Sequence, residues 1–428
     1  MQQTWIEGNK YLSLPPHDKC MRILFLTDNF PPEVNAPATR TYEHAREWVR
    51  MGHEVTVITC APNFPRGKVF QGYKNRWHQE ETIDGIRVIR VWSFIAPNRG
   101  VAKRLIDFIS FSVTSFLAGM RVKTDLIVAT SPQFFTALSG RTLSLFRRIP
   151  WVMEVRDLWP ESIKAVGAAR LEPFIRYFEW EEFRCYKSAR KIIVVTDSFR
   201  DQLVGRGIFA HKIEVVKNGC NRELFHPVPK ETELLQQLGL SGKTVIGYIG
   251  TLGMAHKLDF ILRCAKALEA EKKYHFLIMG DGAKKEELLK LKEELKLTNV
   301  TFHPPVPKQQ VSRYVGILDV ALINLRRSDT FLSVIPSKIF ENAGMEIPIL
   351  MGVQGEAQKI IESYGAGRCF IPENEESFIK ELHALTDNPA EYEKCKEGCQ
   401  KLAADFDRKV LARQMMEHLL QAYELRKR

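Results

Sequence analysis

The sequence predicts an α/β protein of two doubly wound parallel-sheet domains facing a central cleft, and three observations carry that prediction. Short, continuous runs of Val, Ile and Leu alternate with amphipathic stretches of helix length, the pattern of parallel strands buried on both faces. The series runs through the first half, breaks over residues 218–240 at an Asn-Gly pair and two prolines, and then restarts. A length of 428 residues also exceeds what one hydrophobic core supports.

Taken in order, residues 1–20 are polar, lack the apolar run of a secretory leader and read as an N-terminal extension. The first domain, residues 21–225, has strands expected at 22–28, 54–60, 86–92, 126–131, 151–155, 191–197 and 212–217. The second, residues 226–405, has strands expected at 244–250, 275–280, 299–303, 320–325, 347–353 and 368–372. Residues 406–428 close the chain, with an amphipathic helix at 406–425 and no strand after it. Rossmann-like sheets of this kind bind ligands beyond the carboxyl ends of their strands, so the cleft is the expected site.

Charge narrows the partners. The net charge is +11, and residues 1–225 hold 33 Lys and Arg against 23 Asp and Glu, while the remainder holds 29 against 28. The basic excess of the first half suits an anionic membrane or a phosphate-bearing substrate. No zinc finger, aromatic RNA-binding motif or uninterrupted basic arm accompanies it, so nucleic acid is not an expected partner. The eight cysteines form no C-x-x-C pair and no histidine cluster at zinc spacing, which predicts no metal site and a reducing, cytoplasmic compartment. Residues 105–120 (LIDFISFSVTSFLAGM) are apolar and flanked by Arg99, Lys103, Arg104, Arg121 and Lys123. They are too short to span a bilayer, and read either as a helix lying in the membrane interface or as a buried helix with solvated ends.

The sharpest chemical signal is VIPSKIFE at 334–341. Pro336 suits a first helical turn, so the amides of Ser333 and Val334 are expected to form an anion cradle at a helix N-terminus. Lys338 adds positive charge one turn in. Glu341 follows on the same side as Ser337 and Lys338, placed to accept from ribose hydroxyls. The loop GYIGTLG leaves a strand at Gly250 and Thr251 and leads to His256 and Lys257, and Gly280-Asp281-Gly282 ends the next strand at the same sheet edge. In the first domain, the loop NFPPEVNAPATR offers Glu33 and Asn35 for sugar hydroxyls and Arg40 for a phosphate. EVRDLWPES brings Arg156, Asp157 and Glu161 to a strand end as candidate catalytic groups, with Trp159 as a stacking surface.

These motifs, with VVTDSFRDQLVGRGIFAHKIEVVKNGCNRELF at 194–225 and YIGTLGMAHKLD at 248–259, resemble family 4 retaining glycosyltransferases of the two-Rossmann (GT-B) class. The chain is most similar to the branch described as L-fucosamine-transferase-like in surface-polysaccharide synthesis. The resemblance implies that the second domain binds the donor nucleotide and that Glu341 is the ribose-holding second glutamate of an E-x7-E motif, whose first position is Ser333 here. It places the diphosphate pair at Thr251 and Lys257, of which only the lysine is retained, with Lys338 in support. It places the base-binding turn at 304–306, with Pro305 and Val306, and Arg156 where a catalytic-domain histidine is common. It further implies a reaction with no metal or other cofactor, departure of the nucleoside diphosphate with same-face attack, and a final helix that crosses back to the first domain.

The expected function is transfer of a sugar, an N-acetylated deoxyamino sugar such as FucNAc, from a UDP-sugar to a polyprenyl-diphosphate-linked saccharide at the inner-membrane surface. The first domain would then hold the lipid-linked acceptor, and the protein would lie peripherally on the cytoplasmic face. A non-hydrolysing UDP-sugar 2-epimerase and a catalytically inactive nucleotide-sugar-binding subunit are the alternatives.

Overall fold

The computed structural model describes residues 20–95, 101–131, 133–158 and 172–425. The first half runs β1 (Arg22–Leu26), α1 (Ala36–Arg50), β2 (Glu54–Cys60), β3 (His78–Ile83), β4 (Ile86–Val91), α2 (Val101–Gly119), β5 (Leu126–Thr130) and α3 (Phe134–Arg147). It continues through β6 (Trp151–Val155), α4 (Glu172–Ser188), β7 (Lys191–Val194), α5 (Asp197–Gly205) and β8 (Ile213–Val215). The second half runs α6 (Thr232–Gln237), β9 (Thr244–Ile249), α7 (Leu258–Ala267), β10 (Tyr274–Met279), α8 (Lys285–Glu294), β11 (Val300–His303), α9 (Lys308–Gly316) and β12 (Val320–Asn324). It ends with α10 (Lys338–Gly344), β13 (Ile349–Gly352), α11 (Glu356–Tyr364), β14 (Gly367–Cys369), α12 (Glu375–Thr386), α13 (Pro389–Asp405) and α14 (Arg408–Glu424).

The strands form two sheets, ordered β3-β4-β2-β1-β5-β6-β7-β8 and β11-β10-β9-β12-β13-β14. All pairings are parallel except that of β3 with β4. Central strands are apolar throughout because helices cover both faces: β1 sets Leu24 opposite Thr56 of β2 and Ile127 of β5. β3 was not expected from the sequence. Its residues, HQEETI, alternate between exposed and half-buried, as an edge strand with one wet face does.

In each sheet, chain order reverses at one place, between β1 and β5 and between β9 and β12. Such switch points open a crevice at the strands' carboxyl ends, and the loops that leave them carry the candidate site.

Helix α2, which carries residues 105–119, is buried along one face and exposes apolar residues along another. Phe111, Thr114, Ser115 and Ala118 are buried, while Ile106, Ile109, Val113, Leu117 and Met120 form a stripe that is 40–52% exposed. Among the described residues, no helix is long and apolar enough to cross a membrane. Helix α14 returns to the first domain, where Leu411, Met415 and Leu419 join Ala45 and Trp48 of α1 in one core cluster. The Trp48 indole N–H fixes that packing by donating to the Ala412 carbonyl at 2.9 Å.

The domains also touch through Glu356, which is 7% exposed. Its carboxylate accepts from the backbone amides of Asp197 (2.8 Å) and Ser198 (2.9 Å) at the start of α5, and lies 3.3 Å from Lys217 Nζ. A carboxylate there satisfies amides that the helix itself leaves unpaired.

Candidate functional site

Beside the second switch point, the ends of β9, β10 and β11 are laced together. Gly250 N–H donates to the Met279 carbonyl at 2.8 Å, Leu252 N–H to Asp281 O at 2.9 Å and Gly280 N–H to His303 O at 3.2 Å. A Cβ on Gly280 would collide with the Gly250 carbonyl, and one on Gly250 would collide with Lys338 Nζ. Both glycines also have φ near +150° (149° and 155°), which other residues rarely adopt. These glycines therefore bring the loops together and make room for the lysine.

Lys338 is the first residue of α10, and its ammonium lies 3.8 Å from the centre of the Tyr248 ring. The nitrogen is sealed from solvent and has no hydrogen-bond partner among the described residues. Burial lowers its pKa to about 7, with Glu341 acting in the opposite direction. His256 packs edge-on against Tyr248 at 5.7 Å, and burial, reinforced by Lys338, pushes its pKa down to about 4. Glu341 lies further along α10. Burial raises its pKa against the pull of Lys308 and Lys338. Lys308, which sequence reasoning missed, opens α9 and reaches across the cleft to donate to Thr39 Oγ1 at 3.1 Å.

Several expected donor-site residues behave differently. The Val334 amide donates to the Phe331 carbonyl at 3.2 Å, and the Ile339 amide to Pro336 O at 3.1 Å. These bonds close turns over 331–334 and 336–339 ahead of a seven-residue helix, with Ser337 at its N-cap and no side-chain cap bond. Of the amides expected to form the cradle, that of Val334 is already engaged by the Phe331 carbonyl, and Ser333 is half-buried. Lys257 sits in a left-handed conformation (φ 46°) and pairs with Asp259 at 2.8 Å, which raises its pKa. Thr251, Asp281 and Pro305 are exposed, and Val306 is half-buried in the loop after β11. Asp281 accepts from the Gly282 amide at 2.9 Å.

The first domain corrects the sequence reading more sharply. Glu33 is buried, accepting from the Asn63 and Phe64 amides at 2.7 and 2.8 Å, so it fastens the loop after β2. Asn35 caps α1 by accepting from the Ala38 amide at 2.9 Å. Arg40 is 1% exposed, pairs with Glu154 at 2.8 Å and donates to the Lys217 and Val216 carbonyls. Each of the three is held by an internal contact. Arg156 is half-buried beyond β6, donates to the Pro37 carbonyl at 3.2 Å, and has its pKa lowered by burial to about 10. Asp157 follows, exposed. Asp28, at the end of β1, was not singled out from the sequence; burial raises its pKa while Arg156 opposes the shift. Glu161 and Trp159 lie outside the described residues.

Comparison with known proteins follows these two sheets. Residues 35–219 match the glycosyl transferase 4-like domain family and residues 230–402 the glycosyl transferases group 1 family. Escherichia coli K12 WcaI, named as a colanic acid biosynthesis glycosyl transferase, is 25% identical over 84% of this chain and 90% of its own. Among solved structures, sucrose-phosphate synthase of Thermosynechococcus elongatus has a TM-score of 0.75 at 15% identity, covering 95% of this chain and 100% of that one. Anabaena HepE in complex with UDP-glucose has a TM-score of 0.69 at 16% identity, covering 94% and 100%. One family falls on each sheet, and the chain belongs to the GT-B glycosyltransferases built from this pair of domains.

Proposed function

We propose that the second domain holds a UDP-sugar and that its sugar passes to a lipid-linked saccharide bound by the first domain, in the assembly of a bacterial surface polysaccharide. The observation that carries this reading is the Lys338 ammonium, buried at the β9–β12 switch point without a hydrogen-bond partner among the described residues, on the same short helix as Glu341. A diphosphate supplies the charge that pairs such a cation, and a neighbouring ribose supplies hydroxyls for a carboxylate. WcaI's colanic acid role and the UDP-glucose bound to HepE support the polymer and the nucleotide.

In this reading, Lys338 stabilises negative charge on the leaving diphosphate, assisted by Lys257 once it exchanges Asp259 for phosphate. His256, neutral at physiological pH, is a hydrogen-bonding group and not a cation. Arg156 and Asp157 approach from the first domain, so the reacting sugar lies between the two sheets and is positioned for attack on the face the diphosphate leaves. The donor sugar is an N-acetylated deoxyamino sugar such as FucNAc, and no metal takes part. The exposed apolar stripe of α2 lies against the inner membrane surface, where a polyprenyl-diphosphate-linked acceptor resides.

The test is transfer itself. Purified enzyme is incubated with UDP- and GDP-linked sugars and a polyprenyl-diphosphate-linked saccharide, and the lipid product is separated and its new linkage determined. Extension from a UDP-sugar with the donor's anomeric configuration kept is expected. Extension from GDP-sugars alone, or an inverted linkage, contradicts the proposal.

A further inference from the structure

At the opposite end of the first sheet from the cleft, where β6, β7 and β8 begin, lies a cavity of about 930 Å3. Its lining includes Arg148, Lys187, Arg190, Lys191 and Lys212, with Glu424 as its one carboxylate among the described residues. Lys191 is paired with Glu214, and Lys212 donates to the Lys187 carbonyl at 2.7 Å at the end of α4. Arg148 and Arg190 are exposed and form no ion pair among the described residues. The repulsion is felt locally: Arg190 adds to burial in lowering the pKa of Lys212.

The rim of the cavity is apolar. Leu145 lines it and is 57% exposed, and Phe146 beside it is 70% exposed. Phe146 packs edge-on against Phe116 of α2 at 5.6 Å, which joins this rim to the exposed Leu117 and Met120 at the end of the α2 stripe. Cations lining an open cavity beside exposed apolar side chains match the two layers of a membrane surface, phosphate and acyl chain. A soluble phosphate compound would meet the cations but gain nothing from the rim.

We propose that this cavity binds the phosphate headgroup of an anionic membrane phospholipid, with Leu145 and Phe146 entering the adjoining acyl region. The proposal rests on the membrane-surface reading above and assigns it a specific contact. The cavity, acting with the α2 stripe, anchors the first domain and leaves the second free to close on the cleft.

Flotation with phosphatidylcholine vesicles, with and without phosphatidylglycerol, tests it, with UDP-induced thermal shift measured on the same samples. Wild type is expected to prefer vesicles containing phosphatidylglycerol. Arg148→Glu/Arg190→Glu, placed at exposed positions, is expected to weaken that binding on the order of tenfold or more, and Leu145→Ser/Phe146→Ser to weaken it while the cations remain. Both variants should keep the UDP shift. Equal binding by wild type and the charge-reversal variant overturns the proposal. So does stabilisation of wild type by inorganic phosphate without vesicle binding, which would assign the cavity to a soluble anion. Absence of a UDP shift in wild type, with the vesicle pattern intact, would instead defeat the donor reading and leave the cavity's assignment standing.

Discussion

Arg40 and Lys338 are both basic residues near the start of a helix that follows a strand-end loop, yet their surroundings are opposite. The Arg40 guanidinium is paired with Glu154 and caps two backbone carbonyls, while the Lys338 ammonium faces the Tyr248 ring with no hydrogen-bond partner among the described residues. The same contrast runs through the two sets of loops. In the first domain, Glu33, Asn35 and Arg40 stabilise the scaffold. In the second, the glycines at 250 and 280 make room for the Lys338 ammonium, which is buried without a hydrogen-bond partner among the described residues. Buried polar groups are nearly always satisfied, so an unsatisfied one is informative about ligand chemistry in a way that residue type alone is not.

The contrast can be broken by mutation, and the largest effect is expected at Arg40. Arg40→Met leaves the Glu154 charge buried and unpaired and should cost about 3–5 kcal/mol of stability in urea unfolding, with UDP affinity unchanged in the folded protein. A stable variant with impaired UDP binding would place Arg40 in the ligand site after all.

Lys338→Met is expected to weaken UDP binding on the order of ten- to a hundredfold by calorimetry. It should also stabilise the free protein at pH 6. The folded-state pKa of about 7 lies below the ordinary lysine value of 10.5, so the wild type bears the full cost of burying a charged ammonium below pH 7. That cost fades as pH rises from about 7 towards 10.5, and the variant's advantage in Tm should fade over the same interval. The UDP-induced rise in Tm of the wild type should itself shrink as pH climbs past about 7. A pH-independent UDP effect would argue that the lysine stays charged and solvated.

The smallest expected effect is that of Asn35→Ala, about 1 kcal/mol for loss of the α1 cap, with no change in UDP affinity. Loss of activity without loss of stability would return Asn35 to the acceptor site.

The double sheet was legible because central strands such as TVIGYI in β9 are buried on both faces and read as unbroken apolar runs. HQEETI in β3 was not, since half its residues face water at an edge. That Lys338 and Glu341 share one helix was legible from spacing alone. The internal contacts of the first-domain loop were not legible because its polar residues have partners far away in sequence: Arg40 and Glu154 are 114 residues apart, and Glu33 and Asn63 are 30 apart. The cross-domain contacts of Lys308 with Thr39 and Glu356 with Asp197, separated by 269 and 159 residues, left no local signal at all.

The central claim is that α10 presents a nucleoside-diphosphate site, and the most direct measurement is titration of UDP and GDP into wild type and Glu341→Ala by calorimetry. The account predicts that wild type binds UDP in preference to GDP, and that the variant, folded and no less stable than wild type in the absence of ligand at neutral pH, binds UDP about tenfold or more weakly. Equal UDP affinity in the two proteins, or no heat from either nucleotide up to millimolar concentration, would contradict it.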